Sequence, residues 1–269
     1  MTDCVPLVQA LDASLYGGKC ASLARALQAG LPAPGGYALS VAQVARIARG
    51  NAADFSHIAA LFAELAPALA VRSSAVGEDS NDASFAGQHL SVLNIMDADA
   101  VLAAIVAVYQ SAHTPEAHAY RARLQVAGVP AIAVVLQKQV LSDVAGVMFT
   151  RNPLGGASER YIEASWGLGE AIVAGLVVPD RFRIHADGSI LERIAGEKDL
   201  MLVADPGGTV VEVEVAPERI TTLCLTDEQL TQLHKLASDC QRVYGAEIDI
   251  EWALYDGQLY LLQCRGITR

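Results

Sequence analysis

The sequence predicts an α+β fold, and three observations carry that prediction. Helix-type periodicity dominates up to about residue 126 and returns once, at 226–244. Strand-type runs fill most of the stretch from 131 to 263 and end on a hairpin signal. The chain has 269 residues, 52% hydrophobic and 18% charged, enough for a substantial core in one large domain or two lobes. This composition excludes a disordered chain. No internal repeat or low-complexity linker interrupts it.

The elements follow in order. Gly17-Gly18-Lys19 reads as a glycine turn entering a helix over 17–30. Leu23, Ala24 and Leu27 share a face, Gly30 suits the C′ position, and Pro32 and Pro34 block continuation. Residues 41–70 are alanine-rich and helical in pattern. Ala70-Val71-Arg72 then enters a loop as a short strand, and that loop, 73–88, is dense in Ser, Gly, Asp and Asn. Residues 98–126 read as helix. Residues 131–136 form a continuous apolar run of the buried-strand type. Shorter strands are expected at 146–150, 161–163, 181–184 and 209–215, the last with Val211, Val213 and Val215 alternating with a wet glutamate face. Residues 226–244 give the clearest helix, with Thr226 and Gln229 as a capping box and Leu230, Leu233, Leu236, Ala237 and Cys240 as its stripe. Strands 248–253 and 258–263 flank the turn Asp256-Gly257.

Charge and cysteine usage narrow the classes. A net charge of −11 argues against non-specific nucleic-acid binding, which needs a basic surface. Five scattered cysteines, without a CxxC pair, fit a reduced, cytoplasmic protein better than a disulfide scaffold. No apolar run reaches about 18 residues without a charge or turn signal, and no export signal opens the chain. The expectation is a chain that is neither exported nor inserted in a membrane.

Several blocks carry chemistry. Gly17-Gly18-Lys19 lets backbone approach an anion while the lysine supplies charge, although the P-loop spacing is absent. A plain turn before a helix is the other reading. Arg72-Ser73-Ser74 offers a forked, permanently charged phosphate ligand ahead of Ser84, Gly87 and Gln88, whose loop either closes over phosphates or is simply solvated. Gln137, Lys138, Gln139 and Val140 end a buried strand, where backbone groups suit an adenine edge; an ordinary strand end reads the same way. Glu163 begins a stretch rich in glycine and acids, running to Glu170 with Trp166 inside it. Glycine turn beside a metal-nucleotide and strand-to-helix turn with a packed tryptophan both fit. Asp249 and Glu251 lie two apart on a predicted strand and so share a face, with Gln263 on the paired strand and Ile250 and Trp252 turned to the core. Hard carboxylate oxygens suit Mg²⁺ completed by substrate phosphates; a salt-bridged acidic face is the alternative. None of the six histidines falls in a ligand or nucleophile pattern.

In this order the blocks resemble the nucleotide-binding domain of the phosphoenolpyruvate synthase and pyruvate phosphate dikinase family. The stretches that carry the likeness are GGKCASLARALQAGLPAPGGYALS, AVRSSAVGEDSNDASFAGQ, AGVMFTRNPLGG, EASWGLGEAIVAGLVVPD and DIEWALYDGQLYLLQCRGIT, from about Leu15 to Thr268. Rifamycin phosphotransferases and glucan, water dikinases share this type of domain.

The resemblance implies an ATP-grasp fold with ATP in a cleft between two lobes, 1–136 and 137–269. Lys19 and Arg72 match the family's phosphate ligands, Ser84 to Gln88 its phosphate-covering segment, and Gln137 to Val140 its adenine hinge. Asp249, Glu251, Gln263 and Arg265 match its nucleotide and Mg²⁺ cluster. It further implies a histidine on a separate swivelling domain that attacks the β-phosphorus of ATP, releasing AMP. Loss of the γ-phosphate then leaves phosphohistidine, which passes phosphate to a small-molecule acceptor.

The chain departs from the pattern in four places. Cys20 replaces a glycine, Gln139 replaces a methionine, and the stretch between Ser40 and Val71 is shorter. No glycine-rich segment carries a Thr-His or Ser-His pair; Gly155-Gly156-Ala157-Ser158 is followed by Glu159. The expectation is therefore the ATP-binding component of a split phosphotransferase, with the histidine on a partner. A self-contained ATP-grasp kinase or ligase and a non-catalytic ATP-binding regulatory module are the rival expectations.

Overall fold

Period-two alternation in the first half of the chain builds a sheet that is dry on both faces. The computed structural model describes residues 3–77, 90–115, 117, 130–156, 158–245 and 247–267. Strands β1 (Cys4–Pro6), β2 (Gly36–Leu39), β3 (Leu69–Ala75), β4 (Ser91–Ile95) and β5 (Ile132–Lys138) form an antiparallel sheet in the order β1-β2-β5-β3-β4. Leu69, Val71, Ile132, Val134 and Leu136 point to one face. There they pack on Val44 and Ile47 of α2 (Val41–Ala48), Ile58 of α3 (Ala52–Leu65) and Ile105 of α4 (Ala98–Ser111). Ala38 and Val135 alternate to the other face, against Tyr16, Cys20, Leu23 and Ala24 of α1 (Ala13–Gln28).

The second half is built on one wet and one dry face. A six-stranded sheet, in the order β13-β12-β6-β7-β8-β9, joins β6 (Val144–Phe149), β7 (Glu159–Trp166), β8 (Asp180–His185), β9 (Ile190–Ile194), β12 (Ile248–Tyr255) and β13 (Gln258–Gly266). Met148, Ile162, Phe182, Ile250 and Trp252 share the dry face with Leu230, Leu233, Leu236, Ala237 and Cys240 of α7 (Asp227–Tyr244). Thr226 caps that helix reciprocally: its hydroxyl accepts from Gln229 N at 3.3 Å, and Gln229 Oε1 accepts from Thr226 N at 2.9 Å. Two short helices, α5 (Glu170–Val173) and α6 (Pro217–Ile220), and a ribbon of β10 (Leu200–Ala204) with β11 (Val210–Glu214) complete this half.

The β12–β13 hairpin fixes the register that matters most. Asp256 at φ 49° and Gly257 at φ 73° make a two-residue turn of the primed kind. Asp249 then pairs with Arg265 and Glu251 with Gln263. Across β6 and β7 the same rows continue as Asp249, Phe149, Tyr161 and as Glu251, Val147, Glu163. Both rows lie on the wet face.

Several expectations are corrected. The helical stretch 41–70 is two helices that end at Leu65, and the chain is extended from Leu69; Pro67 cannot continue a helix. Residues 73–75 belong to β3. The helix expected over 98–126 is described as far as Ser111, and 118–129 lie outside the described residues. So do Ser84, Gly87 and Gln88. Val211 and Val213 are 36% and 38% exposed, because β11 pairs only with β10 in a ribbon and both its faces are wet. Strands β1, β2, β4, β9 and β10 were not read from the sequence. Helix α1 starts before the glycine pair, at Ala13, with Asp12 Oδ1 accepting from Ser14 N. It then breaks at Gly17, where φ is 77° and ψ 170°. A Cβ there would stand 2.2 Å from the carbonyl oxygen of Ser74, so only glycine fits. Among the described residues no helix is long and apolar enough to cross a membrane.

Candidate nucleotide-binding site

Arg72 bridges the two sheets. It leaves β3 on the face that does not carry Leu69 and Val71, and reaches the β12–β13 hairpin. One terminal nitrogen donates to the carbonyl of Leu262 at 2.6 Å. The other donates to Glu251 Oε2 at 2.8 Å and Gln263 Oε1 at 3.3 Å. The planar fork of arginine suits three acceptors held in one plane. Its side chain is 11% exposed, against 32% for Glu251.

A second pair lies two residues along the same strand. Arg265 donates through Nε and a terminal nitrogen to Asp249 Oδ2, at 2.9 and 2.8 Å. Its carboxylate is deeper, at 13% exposure, while Arg265 is 24% exposed. Burial raises the Asp249 pKa, Arg265 opposes that rise, and Glu251 adds to it. Each carboxylate is held through a single oxygen, leaving the second of each without a protein partner among the described residues.

Beside Arg72 opens a cleft. Both sheets wall it: Ala70, Arg72 and Leu93 from the first, Gly146, Val147, Glu251 and Trp252 from the second. Gln137, Lys138, Gln139 and Val140 line the connection between them. Gln137 Nε2 donates to Pro34 O at 2.8 Å. Gln139 uses both ends of its amide on the protein: Nε2 donates to Val140 O at 3.1 Å, and Oε1 accepts from Asn94 N at 3.4 Å. Gln139 therefore shapes the wall.

Lys19, Glu163, Asp249, Gln263 and Arg265 sit outside the lining of this cleft. Glu163 lies one strand beyond Val147 in the Glu251 row, with Tyr161 donating to its Oε1 at 3.2 Å. Lys19 is buried, at 7%. The cause is α1, which is wedged between the first sheet and β13. Cys20 N donates to Ser74 Oγ at 3.0 Å, and Ser22 Oγ donates to Cys264 O at 2.5 Å. Lys19 thus stands one helical turn from contacts with β3 on one side and β13 on the other.

The remaining lining residues were not singled out as site residues. Leu168, Gly169 and Glu170 complete the wall at the start of α5. Burial of the Glu170 carboxyl raises its pKa, with Glu251 adding and Arg72 opposing. Its signal was its place at the end of a glycine- and acid-rich stretch. Leu93 had none, since β4 follows a polar loop without a visible strand period. Neither His57, His113, His185 nor His234 lines the cleft.

For Mg²⁺, the donor chemistry fits only in part. Among the described residues no three His, Cys, Asp or Glu side chains group to hold a metal. Asp249 and Glu251 supply two hard oxygens on one face, and a cation there needs its remaining ligands from phosphate and water.

The cleft lies between two antiparallel sheets, with Arg72 and Glu251 in its wall, and comparison assigns the family of the chain, a nucleotide-binding domain. The chain belongs to the pyruvate phosphate dikinase, AMP/ATP-binding domain family, which it matches over residues 52–269. It is 42% identical over 202 residues to a probable phosphoenolpyruvate synthase of Archaeoglobus fulgidus, covering 74% of this chain and 27% of that protein. It is 37% identical over 286 residues to the prodigiosin synthesizing transferase PigC of Serratia marcescens, covering 96% and 32%. An uncharacterized phosphotransferase of Bacillus subtilis, YvkC, is 32% identical over 282 residues, covering 96% and 34%. The chain thus spans about a quarter to a third of the length of these relatives.

Proposed function

We propose that this chain is the ATP-binding component of a dikinase-type phosphotransferase with an ATP-grasp arrangement, lobes 1–136 and 137–269 closing on MgATP. It transfers the β-phosphoryl group to a histidine on a swivelling partner domain. The observation that carries this reading is the Arg72–Glu251 bridge at the end of a cleft walled by both sheets. Adenine lies along Gln137, Gln139 and Val140, and the phosphates run towards Arg72. Lys19, Arg265, Gln263 and Glu163 act on that charged end, and Ser84, Gly87 and Gln88 cover it. Asp249 and Glu251 are the residues that would hold Mg²⁺, which would supply neutralisation of charge on the transferring group.

Catalysis by these residues is positioning plus charge stabilisation. Guanidinium groups already held by carboxylates are preorganised, and an arriving phosphate would replace part of that pairing. The attacking nitrogen forms a bond to the β-phosphorus and the bond to the α-phosphate oxygen breaks, so AMP leaves. Hydrolysis of the γ-phosphate then leaves phosphohistidine for a small-molecule acceptor. The setting is cytoplasmic, without nucleic acid or membrane.

Product analysis tests this. The chain is incubated with MgATP labelled at the β-position, with and without a swivelling histidine domain in trans. The expected result is AMP and an acid-labile, base-stable label on the partner only. ADP with a modified small molecule and no partner would select the self-contained kinase. Binding without turnover would select the regulatory module. Calorimetric titration of ATP should give markedly weaker binding without Mg²⁺; equal binding would remove Asp249 and Glu251 from the metal role.

A further inference from the structure

Asn94, near the end of β4, is a non-glycine residue at φ 57°, in the left-handed region. Such backbone is sparsely populated and persists where surroundings over-determine it. Asn94 is also 2% exposed. Its side-chain nitrogen donates to two carbonyls in the other half of the chain, Asp205 at 2.8 Å and Thr209 at 2.6 Å. Those carbonyls sit at the tip of the β10–β11 ribbon. The tip is pre-set, because Thr209 N donates to Asp205 Oδ1 at 2.7 Å, which lowers the Asp205 pKa.

The ribbon's other attachment is at its middle. Leu202 O accepts from Leu168 N at 2.8 Å, and Leu202 bridges to Gly167. Leu168 is a wall of the cleft from the second half; Leu93, next to Asn94, is a wall from the first. The Asn94 backbone N–H meets Gln139, a third lining residue. One buried amide therefore ties a strap fixed to one wall onto the opposite wall and onto the connection between them.

We propose that Asn94 is the clasp that holds the β10–β11 ribbon between the two walls of the cleft, a positioning residue that slows release of the nucleotide. The second part rests on the nucleotide reading of the cleft. The ribbon has little else to hold it: β11 pairs only with β10, and its Val211 and Val213 are more than one third exposed. Asp205 O also accepts from Gly208 N at 3.3 Å and Thr209 O from Asp205 N at 2.9 Å, so the tip keeps its own turn, and loss of the two Asn94 hydrogen bonds is expected to free it from the first sheet by about tenfold or more.

The test uses Asn94→Ala and Asn94→Gly, with Asp205→Ala as an exposed change that loosens the same tip with little risk to folding. Asn94→Gly relieves the left-handed backbone yet removes the amide, so it separates a conformational role from a bonding one. Hydrogen exchange over 200–214 is measured in nucleotide-free protein. Dissociation of a fluorescent ATP analogue with Mg²⁺ is measured by chase with unlabelled ATP. Both Asn94 variants should exchange and release about tenfold faster, and Asp205→Ala should show a smaller change in the same direction. Unchanged exchange, or an Asn94→Gly protein that behaves as the parent, overturns the clasp. Faster exchange with unchanged release overturns the positioning role. If the parent chain binds no ATP analogue, the nucleotide reading fails, and exchange alone decides the clasp.

Discussion

The two arginine–carboxylate pairs use the same chemistry in different places. Arg265 and Asp249 are cross-strand neighbours in one hairpin, with the carboxylate the more buried partner, at 13% exposure. Arg72 and Glu251 come from separate sheets, 179 residues apart, and Glu251 is one third exposed. A local pair can be held by register alone. A distant pair must be held by everything that positions the sheets, so it reports on the cleft as a whole. The buried pair should matter more to stability, and the bridging pair more to turnover.

The largest effect is expected from removing the bridge. Arg72→Ala should lower ATP-dependent turnover by on the order of a hundredfold or more, the scale seen when a positioned charge stabiliser is lost. Its melting temperature should stay close to that of the parent, because Glu251 can be solvated. Lys19→Ala should match it in turnover but also melt lower, since Lys19 is buried in α1, at 7% exposure. Parallel kinetics and thermal melts decide this, and full turnover in either variant removes that residue from the phosphate role.

Next in size is the stability difference between the pairs. Arg265→Ala leaves Asp249 buried without its partner, a loss of about 1–3 kcal/mol. Denaturant titrations of Arg265→Ala and Arg72→Ala side by side should place the first midpoint clearly lower. Equal midpoints would mean that burial does not distinguish the pairs.

The smallest effect sharpens the same contrast through pH. The Asp249 pKa is raised in the folded state, chiefly by burial. Its contribution is therefore most favourable below the unfolded value of 3.8 and is lost as pH rises through the folded value. Asp249→Asn should accordingly be as stable as the parent or more so at neutral pH, an advantage that fades on acidification, while turnover is lost. A destabilised Asp249→Asn protein at neutral pH would show that the ion pair outweighs desolvation. Glu159 gives the opposite sign. Arg183 lowers its pKa, with Asn152 contributing, so its stabilisation is present above 4.5 and lost below it.

The hairpin was legible in the sequence because its signals are local. Asp256-Gly257 fixes the turn, alternation fixes the faces, and together they place Asp249, Glu251, Gln263 and Arg265 in register. The capping box of α7 was readable for the same reason. The short strands were not, since three to five residues carry too little periodicity, and β1 and β4 are sheet edges whose pairing is decided by distant partners. The burial of Lys19 was equally hidden. A lysine after two glycines looks exposed until α1 is seen between two sheets. Asn94 was invisible, because its role depends on a ribbon more than a hundred residues away.

The seat of α1 also bears on how sequences of this kind can recombine. By chain order the helix belongs with the first sheet, yet Ser22 Oγ donates to Cys264 O, and the hydroxyl of Tyr244 donates to Ser22 O at 2.7 Å. A chimera joined after β5 would inherit its opening helix from one parent and the groove that receives it from another. Such halves would share a fold and still mismatch at a serine, a tyrosine and a strand carbonyl. Parts that look modular along the sequence are, at this seam, cut as lock and key.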